Sequence, residues 1–163
     1  MATEIERKFL VRDESWRELA HASRCIIQGY LANTDRGSIR VRINGDKASL
    51  NIKSMTLGIH RSEFDYSIPV DDAEVLLQDM CMKPLIRKVR HLVDFEGHTW
   101  EVDEFEGENA GLLVAELELS RDNEEFARPP WLGDEVSHDP RYYNVCLVEN
   151  PYRNWPAETL SNF

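Results

Sequence analysis

The chain has 163 residues, 42% of them hydrophobic and 30% charged, and a formal net charge of -11. That composition argues against disorder, which needs fewer apolar residues, and no run approaches the roughly 20 consecutive apolar residues of a membrane-spanning helix. The acidic balance also argues against duplex DNA and anionic membranes as partners, because phosphate contacts need an exposed basic face.

The total conceals a split. Residues 1–90 hold 15 Lys and Arg against 13 Asp and Glu, whereas residues 91–163 hold 4 against 17. A chain of this length buries roughly 68–70% of its unfolded surface, enough for one core, so a single domain over 1–163 is expected. The opening MATEIERKF has neither a basic leader with an apolar stretch nor an Arg- and Ser-rich transit segment, so the cytoplasm is the expected location. Three widely spaced cysteines, Cys25, Cys81 and Cys146, form no C-x-x-C pair and read as small buried hydrophobes. No two of the five histidines stand at i, i+4, so an imidazole metal site lacks support.

In chain order, period-2 alternation predicts strands over 3–12, 24–33, 37–44, 47–54, 60–69, 85–95, 98–106 and 112–120. Asn44-Gly45-Asp46 and Glu96-Gly97-His98 read as hairpin turns, since Gly and Asn accept the positive φ that such turns need. Short helices are expected over 13–21 with Asp13 as N-cap, and over 71–81 with Asp71 or Asp72 capping and Val75, Leu76 and Met80 on one face, ended by Pro84. Others are expected over 122–128, over 139–149 and near the C-terminus, in a tail that starts at about 129. Consecutive hairpins favour an antiparallel sheet.

One face of nearly every strand is charged. Glu4, Glu6 and Lys8 share a face of the first strand, and Ser38, Arg40 and Arg42 share a face of the third, opposite Ile39, Val41 and Ile43. Ser49, Asn51 and Lys53 follow on the fourth, then Arg61, Glu63 and Asp65, Lys88 and Arg90, Glu101 and Asp103, Glu116 and Glu118. Two readings remain open. The charges line the solvated outside of an ordinary sheet, or eight strands close into a barrel whose lumen they line. A charged lumen must hold water and ions, cations being retained there for an anionic ligand and clustered carboxylates for a hard divalent metal.

The stretch Glu4-Ile5-Glu6-Arg7-Lys8 is E-x-E-x-K at the start of a first strand, and it resembles the signature of the CYTH, or triphosphate tunnel metalloenzyme, superfamily. Tyr30 in QGYL, Arg40 and Arg42 in IRVR, Lys53 in NIK, Glu63 in RSEFDY, Lys88 and Arg90 in KVR, Asp103 in WEVDEF and the late Glu116-Leu117-Glu118 carry the resemblance onward. PPWLGDEV followed by RYYN is similar to the short bacterial members. The resemblance spans about residues 3–148.

It implies a mainly β fold, an eight-stranded antiparallel closed barrel with a charged lumen and helices packed outside. It also implies a metal-dependent hydrolase of a linear triphosphate with Mg2+ or Mn2+ as cofactor. Carried over residue by residue, Lys8, Arg40, Arg42, Lys53, Arg61, Lys88 and Arg90 would grip phosphate oxygens. Glu4, Glu6, Glu116 and Glu118 would hold the metal, with Glu63 and Asp103 as direct or outer ligands. Glu6 or Glu4 would orient water, Lys8 would stay protonated beside its carboxylates, and Tyr30 would bond a terminal phosphate or close one mouth.

The superfamily includes inorganic triphosphatases, thiamine triphosphatases, RNA triphosphatases and class IV adenylyl cyclases. No adenine pocket or exposed basic track is legible, and the resemblance to short bacterial members favours inorganic tripolyphosphate, split to pyrophosphate and phosphate. A polyphosphate or nucleotide sensor without turnover, and an interaction scaffold using the acidic half, are the readings from other classes. The resemblance also allows a homodimer. Where many relatives carry a lysine in the tail, this chain has His138-Asp139-Pro140-Arg141, and Arg141 is the candidate to replace that charge. Trp131, Tyr152 and Trp155 are expected to pack rather than to bind ligand.

Overall fold

The computed structural model describes residues 2–156. Its strands are β1 (Ala2–Val11), β2 (Ala20–Asn33), β3 (Gly37–Asn44), β4 (Lys47–Ser54), β5 (His60–Ile68), β6 (Ile86–Phe95), β7 (His98–Phe105), β8 (Leu113–Glu118) and β9 (Leu132–Glu135). The sheet runs β5-β4-β3-β2-β6-β7-β8-β1, and a further β1–β5 pairing closes these eight antiparallel strands into a barrel. Closure removes the sheet edges and assigns one side-chain face of every strand to the interior. Both expected hairpin turns form. Gly45 has φ 64°, and Glu96 and Gly97 have φ 44° and 85°, so the β6–β7 loop is positive at both central residues, which matches the right-handed twist of its strands.

β1 is shared between neighbours. Residues Ala2–Ile5 pair with β5, Glu6–Leu10 pair with β8, and Phe9 and Val11 meet the short β9, which occupies the stretch of β1 edge beyond β5. This ninth strand was not among the expected elements. Between β5 and β9 the wall is held by isolated bonds, Glu6 N–H to the Ile59 carbonyl at 3.0 Å, Lys8 N–H to Ser137 Oγ at 2.9 Å and Val136 N–H to the Lys8 carbonyl at 2.8 Å.

The helical segments differ more from expectation. In place of a helix over 13–21 there is a 3-10 turn, Ser15–Leu19, and Asp13 accepts from the Ser15 N–H and hydroxyl instead of capping a helix. β2 consequently starts at Ala20, four residues early. The second helix begins as α1 (Val70–Val75), follows Pro69 with no side-chain cap, and widens to a π-turn over Leu76–Met80. That widening turns Val75 and Met80 into solvent while Ala73 and Leu77 are buried, so the expected Val75-Leu76-Met80 face does not exist. No helix forms over 122–128. Phe126 packs edge-on against Phe9 and Trp100, and Glu124 bonds His98 at 2.8 Å, so side-chain anchors rather than a helical period shape the segment. The tail splits into a 3-10 turn, Pro140–Tyr142, and α2 (Asn144–Glu149), because Tyr143 takes an extended conformation between them. The helix expected near the C-terminus lies mostly outside the described residues; Tyr152–Asn154 forms one 3-10 turn.

The apolar faces point outward and are covered. Phe9, Val11, Val93, Trp100, Val102, Ala115 and Leu117 pack under Trp16 and Trp131, and α1 covers Val41 and Ala48 with Ala73 and Leu77. A third cluster seals one end of the barrel. Tyr30, Ile86, Phe105 and Val114 sit where β2 and β7 end and β6 and β8 begin, and Tyr142, Tyr143, Val145, Leu147, Val148 and Trp155 close over them. Among the described residues no helix is long and apolar enough to cross a membrane. Cys81 is buried and Cys146 half-buried, but Cys25 is exposed, against the expectation for it.

Candidate active site

The barrel encloses a cavity of about 390 Å³, and the charged strand faces line it. Period-2 pleating and closure place them there. With Arg7 turned outward to Glu135, its neighbours Glu6 and Lys8 must turn inward.

The cations fall into two groups. Lys8, Lys53, Lys88 and Arg90 have acidic partners: Lys8 lies 3.3 Å from Glu116, Lys53 lies 2.8 Å from Glu4 and 3.5 Å from Glu63, and Lys88 lies 2.7 Å from Asp103. Arg90 grips both Asp103 oxygens at 2.8 and 2.9 Å and reaches Glu101 and Glu116. Arg40, Arg42 and Arg61 line the same cavity, and among the described residues none has a carboxylate within 4.0 Å. Burial, with the like charges of Arg40 and Arg90, lowers the Arg42 guanidinium to about 9, still charged at neutral pH. Burial likewise pushes Lys88 down to about 7, with Asp103 opposing and Arg90 reinforcing. Three guanidiniums in a concave lumen without a carboxylate in direct contact form a site for a polyanion.

The acids form a second pole. Glu6, Glu101 and Glu116 place carboxylate oxygens within 4.8 Å of one another. Burial raises Glu6 well above the ordinary 4.5, and the charges of Glu116 and Glu4 raise it further. Burial would also raise Glu116, but Lys8, Arg90 and Lys88 outweigh it and hold the carboxylate well below the usual range. Glu4 follows the same logic: burial opposes ionisation, and Lys53 with bonds from Glu63 and Glu6 brings it to about 2. Glu63 is pushed up by burial and by the bond and charge it shares with Glu4. An all-oxygen cluster with an unrelieved like-charge repulsion fits a hard divalent cation.

The residues expected in the lumen line the cavity, except Asp103, which lies behind its wall. Asp103 is completely buried and both its oxygens are engaged by Arg90 and Lys88, so it holds cations rather than standing open to a metal. Glu118 lines the cavity near Glu6, its partner in the β1–β8 register, and is exposed. Lys8 is held protonated: burial works against its charge, but Glu116 and Glu6 raise its pKa. Tyr30 lines the cavity as part of the apolar seal, 4% exposed. Arg141 does not reach the lumen; it forks onto Asp139 at the surface and lies over the Tyr142 and Trp155 rings. Trp131, Tyr152 and Trp155 pack as expected. Glu101 was legible only as part of a charged face; its convergence on Glu6 and Glu116 depends on register, Glu101 opposite Glu116 and Lys8 opposite Glu116 on the other side. Gln28 in QGYL and Tyr143 and Asn144 in RYYN receive no role from the sequence, yet Gln28 Oε1 accepts from Arg42 Nε at 2.7 Å, and Tyr143 and Asn144 reach the lumen from the tail.

Comparison with known proteins agrees with this geometry. The CYTH domain family profile matches residues 2–143. An inorganic triphosphatase of Acetivibrio thermocellus is 47% identical over 155 residues, covering 95% of this chain and 99% of that one. An inorganic triphosphatase of Nitrosomonas europaea is 38% identical over 150 residues, 90% and 97% of the two chains. The crystal structure of the inorganic triphosphatase NE1496 superposes with a TM-score of 0.66 at 33% identity, covering 91% of this chain and 95% of that one. The PH1012 protein of Pyrococcus horikoshii, TM-score 0.58 at 17% identity over 74% and 80% of the chains, shares the fold alone.

Proposed function

The chain belongs to the CYTH family, and we propose that it hydrolyses inorganic tripolyphosphate to pyrophosphate and phosphate with the help of a divalent cation. One observation carries this reading. A single cavity holds guanidiniums without acidic partners, Arg40, Arg42 and Arg61, and a converging carboxylate cluster, Glu6, Glu101 and Glu116. A pure anion binder gains nothing from the second set.

Arg40, Arg42 and Arg61 take non-bridging oxygens, the arginine forks bidentately, with Lys53, Lys88 and Arg90 adding charge. Lys8, kept protonated by Glu116 and Glu6, offsets negative charge developing on the phosphate chain. Glu6, Glu101 and Glu116, with Glu4 and Glu118 beside them, would hold Mg2+ or Mn2+. Such a metal supplies charge neutralisation at phosphoryl oxygens and a water of lowered pKa. Glu6 or Glu4, both lining the cavity, would orient the attacking water. Asp103 fixes Arg90 and Lys88, and Tyr30 serves the seal.

The test is phosphate release from tripolyphosphate, ATP and thiamine triphosphate with and without Mg2+ or Mn2+. Tripolyphosphate is expected to be turned over fastest and only with metal. Glu116→Gln should lower kcat by at least about a hundredfold, and Arg40→Ala should raise KM by roughly ten- to a hundredfold. Tight binding of all three compounds without turnover, unaffected by Glu116→Gln, would replace the enzyme with a sensor.

A further inference from the structure

Three successive tail residues each hold a cation of the cradle, and each does so with an uncharged group. The Tyr142 carbonyl accepts from Lys8 Nζ at 3.2 Å. The Tyr143 ring lies 4.6 Å from the Arg61 guanidinium and 5.7 Å from Lys8 Nζ, its hydroxyl tied to the Ser137 carbonyl at 2.7 Å. Asn144 Oδ1 accepts from Lys88 Nζ at 2.9 Å and from Gln28 Nε2 at 3.1 Å, and Gln28 in turn accepts from Arg42. The cations come from β1, β5, β6 and, through Gln28, β3; the tail gathers them from four strands.

The chemistry of the partners matters as much as their geometry. A carboxylate at these positions would fix the side chains equally well and would cancel the charge that a polyanion requires. A carbonyl, an amide oxygen and an aromatic face orient a cation and leave its net charge in place. For Arg61 and Arg42, which have no carboxylate within 4.0 Å among the described residues, the tail contacts, direct or through Gln28, supply that orientation.

We propose that Tyr143 and Asn144 are positioning residues of the triphosphate cradle: with neutral partners they hold Arg61 and, through Gln28, Arg42 toward the substrate, and Asn144 braces Lys88 beside its carboxylate partner Asp103. The inference rests on the triphosphatase reading and assigns a role to a tail segment at whose first two residues the family match ends. Phosphate oxygens approach cations whose rotamers are already set, so binding loses less side-chain freedom.

The test combines kcat and KM for tripolyphosphate in Mg2+ with calorimetric binding of tripolyphosphate under metal chelation. Wild type is compared with Arg61→Ala, Tyr143→Leu, Tyr143→Phe, Asn144→Ala and Asn144→Asp. Tyr143→Leu should raise KM about tenfold with kcat changed far less, and Tyr143→Phe, which keeps the ring, should restore most of that loss. The order at position 144 is decisive. Asn144→Asp keeps the shape and adds a negative charge; it is expected to weaken affinity more than Asn144→Ala does, whereas a merely structural role predicts the reverse. Circular dichroism and thermal melting identify any variant that fails to fold, and the isosteric Asp and Phe variants keep the comparison intact in that event. Tail variants within twofold of wild type, while Arg61→Ala raises KM, would overturn the positioning role and spare the triphosphatase. A wild type that neither binds nor cleaves tripolyphosphate would overturn both.

Discussion

Glu6 is the lumen carboxylate whose charge the protein offsets least. Its burial and the charges of Glu116 and Glu4 raise its pKa well above 4.5, whereas Glu116 is held low by Lys8, Arg90 and Lys88 despite its own burial. A divalent cation among Glu6, Glu101 and Glu116 relieves that repulsion, and a ligand that binds only the folded state stabilises it by mass action. At a hundred times its dissociation constant the gain is about 2.7 kcal/mol, a rise in Tm of roughly 5–10 °C for a chain of this size. Mg2+ or Mn2+ alone is therefore expected to raise the wild-type Tm by an amount of that order, and Glu101→Gln to remove most of the rise. A melting curve indifferent to metal would contradict the cluster as a cation site. Residue by residue, alternation placed Arg40 and Arg42 on the face opposite Ile39, Val41 and Ile43 but did not say which face is inside; the resemblance assigned the charged face to the lumen, where the structure has it. Glu101 was not singled out, since its value depends on which residues of β8 and β1 stand beside it. Strand register across 15 or more residues of chain is not written in alternation. Asn144 and Gln28 stand in RYYN and QGYL, which carried the resemblance, but as neutral polar side chains they have no charge pattern that would assign them a role.

At the scale of elements, the long alternating strands were legible and the short segments were not. β9 has four residues between Pro129-Pro130 and a turn, too few to show a period, and it exists because β1 offers an unpaired edge beyond β5. The pairing is locked by Arg7, which donates from Nε and Nη2 to the two Glu135 oxygens at 2.9 and 2.6 Å while Ser137 donates to Glu135 at 2.6 Å. The Arg7 bonds lower the Glu135 pKa against a modest opposing effect of burial, and Ser137 adds to the lowering. A carboxylate held below its unfolded value contributes stability above about pH 4.5 and loses it as pH falls through the lowered folded value. Urea unfolding should accordingly show wild type more stable than Glu135→Gln at pH 7, with the gap closing as pH falls below about 4.5. A gap of constant size over that range would remove the ion pair as its cause. The helix misplaced over 122–128 fails on similar grounds, since the Phe126 and His98–Glu124 anchors that shape it lie on distant strands.

For the whole molecule, the net charge of -11 describes the outside and conceals the inside. Eight of the 15 basic residues before residue 91 are turned into the lumen by β1, β3, β4, β5 and β6, and the acidic second half supplies Glu101 and Glu116 opposite them. The same closure gives the lumen a direction. Tyr30, Ile86, Phe105 and Val114, under Tyr142, Tyr143, Val145 and Trp155, fill the end where β7 stops and β8 starts. The opposite end carries the Gly45-Asp46 and Glu96-Gly97 turns and is lined by Asn44, Lys47, Ser49 and Ser67, all polar. A phosphate chain must then enter from the polar end with an unsubstituted terminus leading, because the apolar seal has no room for a second bulky group and offers it no polar partners. Tripolyphosphate satisfies this at either terminus and ATP at one. P1,P3-diadenosine triphosphate satisfies it at neither, although its phosphate chain has the same length. The expected order of kcat/KM is tripolyphosphate above ATP, with no diadenosine triphosphate cleavage above background when products are separated by chromatography. If diadenosine triphosphate were cleaved as fast as ATP, the phosphate chain would have to be reached from both ends, and the tail would be a movable cover over an open tunnel rather than a fixed floor.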